Sequence, residues 1–230
     1  MNKKIFSDKI WKDLQKNKEQ DSNYSIGIFD FLLDLFFPKD YFDKYLQDFK
    51  PQTKTRKPDL DEPLLDTILV SSNYFSVEKL LHRAKFGQEL AICEDFAKIM
   101  STNLEKHIQE NTISKPDLLI CVPPDTIRLK LRGFHLPEIL MTKISQKTKI
   151  PLAQTLQKTK QTQAQTKLNR RTRLVNLENC FELHAINTKI KTICLIDDIC
   201  TTGTTLNECA KILKQNYPYL EVFALVLASN

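Results

Sequence analysis

The stretch TICLIDDICTTGTTL, residues Thr192–Leu206, decides the fold class and the candidate site of this 230-residue chain. Ile193–Ile196 is a short uninterrupted apolar run, which is typical of a strand that is buried on both faces. Asp197 and Asp198 follow at its carboxyl end, and their side chains are expected to point in different directions. A glycine among four threonines comes next. The pattern therefore predicts a buried strand that ends in a polar, flexible turn.

The turn leads into a predicted helix over residues 205–216, because the apolar positions after it repeat at helical spacing. Thr204 or Thr205 is the expected N-cap residue. Gly203 allows the backbone to bend, and the helix N-terminus supplies N–H donors that favour an anion. Hydroxyl groups on both sides of the glycine add further donors, from Thr201, Thr202, Thr204 and Thr205. The turn is therefore predicted to bind a phosphate group.

Carboxylates beside such a turn suggest a sugar phosphate. Asp197 and Asp198 can accept hydrogen bonds from sugar hydroxyls or bind a hard cation such as Mg²⁺. Together with the phosphate turn they predict a site for a ribose 5-phosphate. The four glycines, at positions 27, 87, 133 and 203, allow neither a P-loop nor a G-x-G-x-x-G dinucleotide motif. A strand and a capped helix that bind no ligand remain the structural alternative.

The rest of the chain predicts a doubly wound, mainly parallel α/β sheet. Apolar runs at residues 117–122 and 222–228 alternate with helical patterns, as in parallel strands covered on both faces. A helical stripe covers residues 77–100, with Gly87 as a possible break. Residues 1–60 are predicted to form a small, mostly helical appendage and linker, and residues 61–230 the main domain. Ligands bind such sheets at the carboxyl ends of the strands.

Charge is concentrated in one segment. The chain carries a net charge of +6, but Arg128–Arg173 holds twelve Lys and Arg against one acid, Glu138, whereas the remainder holds 22 bases against 27 acids. This basic segment suggests a polyanionic ligand, either pyrophosphate or nucleic acid. Its first basic residues follow the strand at 117–122 and are candidates for binding pyrophosphate oxygens: Arg128, Lys130 and Arg132. A solvated basic surface is the alternative.

Cysteine usage and hydropathy indicate a cytoplasmic protein. The six cysteines show no C-x-x-C pair and no zinc spacing, so reduced, buried thiols are expected. The basic start runs into charged residues, which argues against a secretory signal. The longest apolar run, Ile28–Phe37, is about half the length of a membrane helix and contains two acids. No membrane insertion is expected.

Ile193–Thr205 is similar, position for position, to the 13-residue phosphoribosyl pyrophosphate (PRPP) motif of type I phosphoribosyltransferases. The resemblance implies that Asp197 and Asp198 hold the ribose hydroxyls and that Thr201–Thr205 holds the 5′-phosphate. It also implies Mg²⁺ as the cofactor, bound directly or indirectly by the two aspartates. Arg132 joins the aspartates as an expected catalytic residue, with further substrate contacts at Arg128, Lys130 and Gly133.

A second set of motifs resembles the competence protein F (ComF) family. The pattern T-x-x-Q-x-x-L followed by R, N and F occurs at Thr162, Gln165, Leu168, Arg173, Asn176 and Phe181. RGF at 132–134 is similar too, and LLHRAKF at 80–86 more loosely. The resemblance covers about residues 64–230. The family's RGFNQ reads RGFHL here, so any role of His135 and Leu136 is in doubt. Family members usually carry a four-cysteine zinc module near the N-terminus, but the first cysteine here is Cys93, so no structural zinc is expected.

Two functions follow from these resemblances. The first is Mg²⁺-dependent transfer of the phosphoribosyl group of PRPP, with loss of pyrophosphate, to a base or amine acceptor that the sequence does not identify. Closure of Thr162–Arg173 over the site is implied, and His135 is an acid or base candidate by residue type alone. The second is a non-catalytic PRPP- or nucleotide-binding protein that acts in DNA uptake and contacts single-stranded DNA. A complete glutaminase-coupled amidotransferase is not expected, because residue 2 is Asn and not a cysteine nucleophile, but ammonia stays open as an acceptor.

Overall fold

A computed structural model describes most of the second part of the chain, in the ranges 53–60, 63–86, 90–125, 129–130, 133–159 and 180–229. All of these residues belong to one compact unit, Lys50–Asn230. The predicted appendage therefore lies outside the described residues except for 53–60.

The described residues form a five-stranded sheet in the order β1-β2-β7-β6-β3. Its strands are β1 (Lys54–Arg56), β2 (Ile68–Asn73), β3 (Leu118–Cys121), β6 (Thr192–Cys200) and β7 (Glu221–Ser229). β1 pairs with β2 antiparallel, and the other neighbours are parallel. A separate antiparallel pair is formed by β4 (Leu156–Lys158) and β5 (Phe181–Leu183).

Four helices lie between the strands in the described residues: α1 (Tyr74–Phe86), α2 (Leu90–Gln109), α3 (Leu136–Thr148) and α4 (Thr204–Asn216). The helices predicted at 137–147 and 205–216 are confirmed to within one residue at each end. The stripe predicted over 77–100 is divided between α1 and α2, which end and begin on either side of Gly87. Within the described ranges, every helix is too short or too polar to cross a lipid bilayer.

Helices cover the sheet on both faces, as predicted. α1 and α2 contact β2 and β7, and α3 contacts α2, β3 and β6. On the other face, Leu206 and Leu213 of α4 share a core cluster with Ile193 and Leu195 of β6. Cys194 and Ile196, which alternate with them, are also fully buried. Because the central strands are buried on both faces, their sequences are continuous apolar runs. The fold is of the type I phosphoribosyltransferase kind.

The structure differs from the sequence prediction in three strands. β1, β4 and β5 were not predicted, because a strand of three residues has no measurable alternation. In addition, the strand at Ile193–Ile196 continues to Cys200. The two aspartates therefore belong to the last part of β6 and do not follow it.

The six cysteines are free and buried, as predicted. Burial raises the pKa of the Cys121 thiol to about 12 and that of the Cys200 thiol to about 11. These two thiols are therefore protonated near neutral pH. A cysteine that acts as a nucleophile or a metal ligand must instead be a thiolate. Their place in the fold is that of small apolar side chains.

Asn207 connects α4 to the segment before β2, and this contact can be tested. Its side-chain Oδ1 accepts hydrogen bonds from the backbone N–H groups of Leu64 (2.7 Å) and Leu65 (3.3 Å), and Asn207 itself is buried. Asn207→Ala leaves these donors without that acceptor, so we expect the free energy of unfolding to fall by about 1–3 kcal/mol. Urea denaturation measures the change.

A matched control lies on the same helix. Asn216 is exposed, and its side chain donates a hydrogen bond to the helix carbonyl of Ile212. We expect Asn216→Ala to change the free energy of unfolding by less than about 0.5 kcal/mol. Equal losses from the two substitutions would show that the Asn207 contact does not hold the segment in place.

Candidate functional site

The two aspartates of the opening stretch lie near the carboxyl end of β6, between β7 and β3. Asp197 is level with Val226 of β7 and is partly buried. Successive residues of a strand present their side chains to opposite faces. Asp198 forms an ion pair with Lys85 of α1, and the charge of Asp197 raises the pKa of Cys209 on α4. Lys85 and Asp198 also act on the Asp197 carboxyl group, so the prediction that the two acidic side chains point in different directions stays a prediction.

Asp197 occupies an apolar environment. Burial raises the pKa of its carboxyl group well above the usual value, and the neighbouring charge of Asp198 raises it further. Two contacts act in the opposite direction: the backbone N–H of Asp198 donates to Asp197 Oδ1 at 2.8 Å, and the Lys85 ammonium lies nearby. An additional hydrogen-bond donor or a cation at this carboxylate would stabilise its charged form.

Asp198 forms an ion pair across the sheet edge. Lys85 Nζ lies 2.5 Å from Asp198 Oδ2, and each side chain is only 15% exposed. Lys85 is the penultimate residue of α1. At the other end of that helix, burial, Glu78 and the charge of Asp198 together raise the pKa of the Tyr74 hydroxyl. Lys85 was not predicted as a site residue, although it lies in the LLHRAKF stretch that resembles the ComF family.

The threonine turn folds back on itself beside the acids. Gly203 has a left-handed backbone with φ = 86°, and Thr202 Oγ1 lies 2.8 Å from Thr204 Oγ1. The carbonyl oxygen of Thr202 accepts the backbone N–H of Asp59 at 2.9 Å. Thr201 is exposed, and Thr205 is partly buried. The five residues assigned to the phosphate turn thus comprise the bend Thr201–Gly203 and the first two residues of α4.

The helix cap differs from the sequence prediction. Gly203 occupies the N-cap position of α4, with no side chain to accept a hydrogen bond, so the prediction of Thr204 or Thr205 at that position was wrong. The reason is the left-handed conformation of Gly203, which makes Thr204 the first helical residue. Gly203 has no side chain that could accept from the N–H groups of the first turn, and Thr202 Oγ1 accepts from the Thr204 N–H at 3.4 Å. A helix start of this kind can bind an anion such as phosphate.

The predicted pyrophosphate residues follow the neighbouring strand β3. Leu129 N–H donates to the Asp125 carbonyl and Gly133 N–H to the Leu129 carbonyl, both at 2.8 Å, which makes a helical turn. Lys130 is exposed on it, and Gly133 has φ = 75°. β3 and β6 are parallel neighbours, so this turn and the threonine turn leave the same edge of the sheet. Arg128 and Arg132 lie outside the described residues.

Two further contacts fix this region, and one of them involves His135, which the sequence made an acid or base candidate by residue type alone. His135 Nε2–H donates to the carbonyl oxygen of Val122 at 2.7 Å, which connects the start of α3 to the end of β3. Lys158 of β4 forms an ion pair with Asp125 at 2.9 Å, and both side chains are mostly buried. His135 therefore has the structural role of an ordinary helix-start residue. The ion pair between Lys158 and Asp125 could not be predicted from the sequence, because the two residues are far apart in it.

Part of the basic segment is neutralised by acids. Lys143 and Lys147 of α3 each lie 2.6 Å from a carboxylate oxygen of Glu94 on α2. Their hydrogen bonds lower the pKa of Glu94 to about 2. The described half of the segment is therefore less free to bind a polyanion than its net charge of +11 indicates.

Asp197 and Asp198 have the ligand chemistry that Mg²⁺ requires. They offer carboxylate oxygens, the ligands that Mg²⁺ prefers, and this ion is usually bound by one or two carboxylates together with substrate phosphates. In the part of the chain that the structure describes, no group of three or more His, Cys, Asp or Glu could hold a metal ion by itself. The two carboxylates thus supply only part of the ligands of such a cation, and water or a phosphorylated ligand supplies the others.

Comparison with known proteins finds relatives of two kinds. The chain is 28% identical over 158 residues to Competence protein F of Haemophilus influenzae, covering 67% of this chain and 69% of the relative. It is 27% identical over 138 residues to DNA utilization protein YhgH of Escherichia coli O157:H7, covering 60% of each chain. No family model matches. These similarities support membership of the ComF family, as the sequence motifs indicate.

The match covers less than two thirds of the length of the YhgH relatives. Of the residues that carry the resemblance, Phe181 is buried and begins β5. The others in that pattern lie outside the described residues, namely Thr162, Gln165, Leu168, Arg173 and Asn176. The PRPP motif, by contrast, is described throughout.

Gly203 provides a test of the loop. A Cβ atom at this position would lie 3.1 Å from Pro58 Cβ and 3.2 Å from Pro58 Cα, in addition to the strain of its positive φ. We expect Gly203→Ala to lower the free energy of unfolding by about 1–3 kcal/mol, measured by chemical denaturation. Thr188→Ala, in an exposed turn, serves as the control and should change it by less than about 0.5 kcal/mol. A Gly203 variant as stable as the control would contradict this account of the loop.

Proposed function

We propose that this ComF-family chain binds PRPP and transfers its phosphoribosyl group, with release of pyrophosphate, to a base or amine acceptor of unknown identity. The observation that carries the proposal is the junction of β6 and α4. There, two carboxylates are followed by a tight loop at a helix N-terminus, with Gly203 in the left-handed conformation. The likeness of Ile193–Thr205 to the PRPP motif supports the same ligand.

In this proposal the two ends of the ribose 5-phosphate have separate partners. The 5′-phosphate accepts hydrogen bonds from backbone N–H groups and hydroxyls of Thr201–Thr205. The ribose hydroxyls donate to Asp197 and Asp198. Lys130 and Gly133, with Arg128 and Arg132, face the pyrophosphate. Mg²⁺, when bound, neutralises part of the charge that develops on the leaving pyrophosphate.

The transfer step requires one bond to break and one to form. The bond between C1 and the pyrophosphate oxygen breaks, and its electron pair leaves with pyrophosphate. A lone pair of the acceptor forms the new bond to C1, and the acceptor releases its proton to solvent. The described residues contribute by positioning the ribose between the acids and the phosphate loop, which holds C1 in place for the acceptor.

A second candidate function is a role in DNA uptake without transfer. It is supported by the names of the relatives, Competence protein F and DNA utilization protein. In this case the basic segment would contact single-stranded DNA through its phosphates. Lys143, Lys147 and Lys158 already form ion pairs within the protein. The DNA contact would therefore depend mainly on residues 160–173, which lie outside the described part.

Thermal unfolding with and without ligand tests PRPP binding. With Mg²⁺ present, PRPP at about 100 times its dissociation constant should raise the melting temperature by about 5 °C or more. We expect Asp197→Asn to lose most of this rise, because the neutral amide replaces a charged hydrogen-bond acceptor. Asp95→Asn on α2 is the control for the lost charge and should retain the full rise. Absence of any rise in the unmodified protein would reject the proposed ligand.

Pyrophosphate release separates transfer from binding. The unmodified protein is incubated with Mg²⁺, PRPP and a panel of bases and amines, and free pyrophosphate is measured. Release that depends on one acceptor supports transfer. PRPP binding without release for any acceptor would favour the second candidate.

Single-stranded DNA binding is tested by fluorescence anisotropy of a labelled oligonucleotide. If the basic segment binds DNA phosphates, affinity should fall by about tenfold or more between 50 and 200 mM salt. The double variant Arg170→Gln, Arg171→Gln should bind more weakly than the matched double variant Lys98→Gln, Lys106→Gln on α2. Equal affinities of the two double variants would remove the basic segment from this function.

A further inference from the structure

The ion pair between Lys85 and Asp198 occupies the candidate site. The Lys85 ammonium lies 2.5 Å from Asp198 Oδ2, and both side chains are 15% exposed. Charges that are largely withdrawn from water interact more strongly than charges on an open surface. Asp198 is therefore held by a cation that belongs to the chain itself.

The same carboxylate is required by the proposed ligand. A ribose hydroxyl needs a lone pair of a carboxylate oxygen, and Mg²⁺ needs a carboxylate ligand close to the ion. An ammonium group at 2.5 Å already uses Oδ2. It also carries a positive charge, which repels a divalent cation bound to the same group.

Lysine suits a contact that must open. Its charge sits at the end of a flexible four-carbon chain, so the ammonium can leave the carboxylate while α1 stays in place. The helix backbone is fixed by the apolar side of α1, where Val77, Leu80, Leu81 and Ala84 are buried. Opening the pair therefore requires only a change of the Lys85 side chain.

We propose that Lys85 is a positioning residue that holds the Asp198 carboxylate in the ligand-free protein and is displaced when a divalent cation or a ribose hydroxyl binds there. The identity of the ligand rests on the proposed function, whereas the competition between Lys85 and a cation does not. Removal of the ammonium should therefore strengthen binding of a divalent cation alone. A merely structural role predicts the opposite, because loss of structure weakens binding.

Mn²⁺ is the probe, and its binding is measured by electron paramagnetic resonance in the absence of PRPP. We expect Lys85→Met and Lys85→Gln to bind Mn²⁺ about five times more tightly than the unmodified protein. Lys85→Arg retains the charge and should bind as the unmodified protein does. Lys98→Met removes a lysine from the exposed surface of α2 and should also leave the affinity unchanged. Circular dichroism establishes that each variant is folded.

A double-mutant cycle distinguishes direct exchange from a general effect of charge. In an Asp198→Asn background the carboxylate that Lys85 contacts is gone. Adding Lys85→Met to that background should then change Mn²⁺ affinity by less than about twofold. A gain as large as in the aspartate background would show that Lys85 acts only through long-range charge, and would overturn the proposal.

The outcomes also separate this inference from the proposed function. Tighter Mn²⁺ binding in the charge-removing variants supports the role of Lys85 even if PRPP fails to raise the melting temperature. Unchanged or weaker Mn²⁺ binding in both Lys85→Met and Lys85→Gln overturns it, even if PRPP binds as proposed.

Discussion

The end of β6 must be both buried in the sheet and occupied by two carboxylates, and the elements around it satisfy these two conflicting requirements. The strand is buried on both faces between β7 and β3, yet it carries two carboxylates before it ends at Cys200. A carboxylate in an apolar environment is costly unless donors or cations compensate it. Here the backbone N–H of Asp198 donates a hydrogen bond to the Asp197 carboxylate, and the Lys85 ammonium forms an ion pair with the Asp198 carboxylate. Lys85 thus supplies a counter-charge for Asp198, whereas burial and the charge of Asp198 hold the pKa of Asp197 well above its usual value.

The loop after the acids is supported by a segment that comes much earlier in the chain. Asp59 donates its N–H to the carbonyl of Thr202, and Pro58 packs against Gly203. β1, which precedes them, extends the sheet next to β2. Residues 53–60 therefore help to shape the candidate phosphate loop, although the sequence places them in a linker. Their role follows from where the sheet brings them and not from their own composition.

Charge illustrates the same difference between composition and position. The sequence assigns a net charge of +11 to Arg128–Arg173 and suggests one basic surface. In the structure, Lys143 and Lys147 pair with Glu94, and Lys158 pairs with Asp125. Glu94 and Asp125 come from before the segment. A count of charges cannot include these pairings, because each depends on which elements become neighbours. The charge available to a ligand is set after folding.

The sequence by itself determined the central strands, the helices that follow them and the position of the candidate site. These features depend on local signals: apolar runs for strands that are buried twice, helical spacing for α3 and α4, and acids followed by a glycine turn. Only the tertiary structure decided that Lys85 faces Asp198, that Gly203 rather than a threonine caps α4, and that β1 joins the sheet. Those features depend on contacts between residues that are distant in sequence or on a backbone angle imposed by packing. Periodicity and motif spacing carry no record of either.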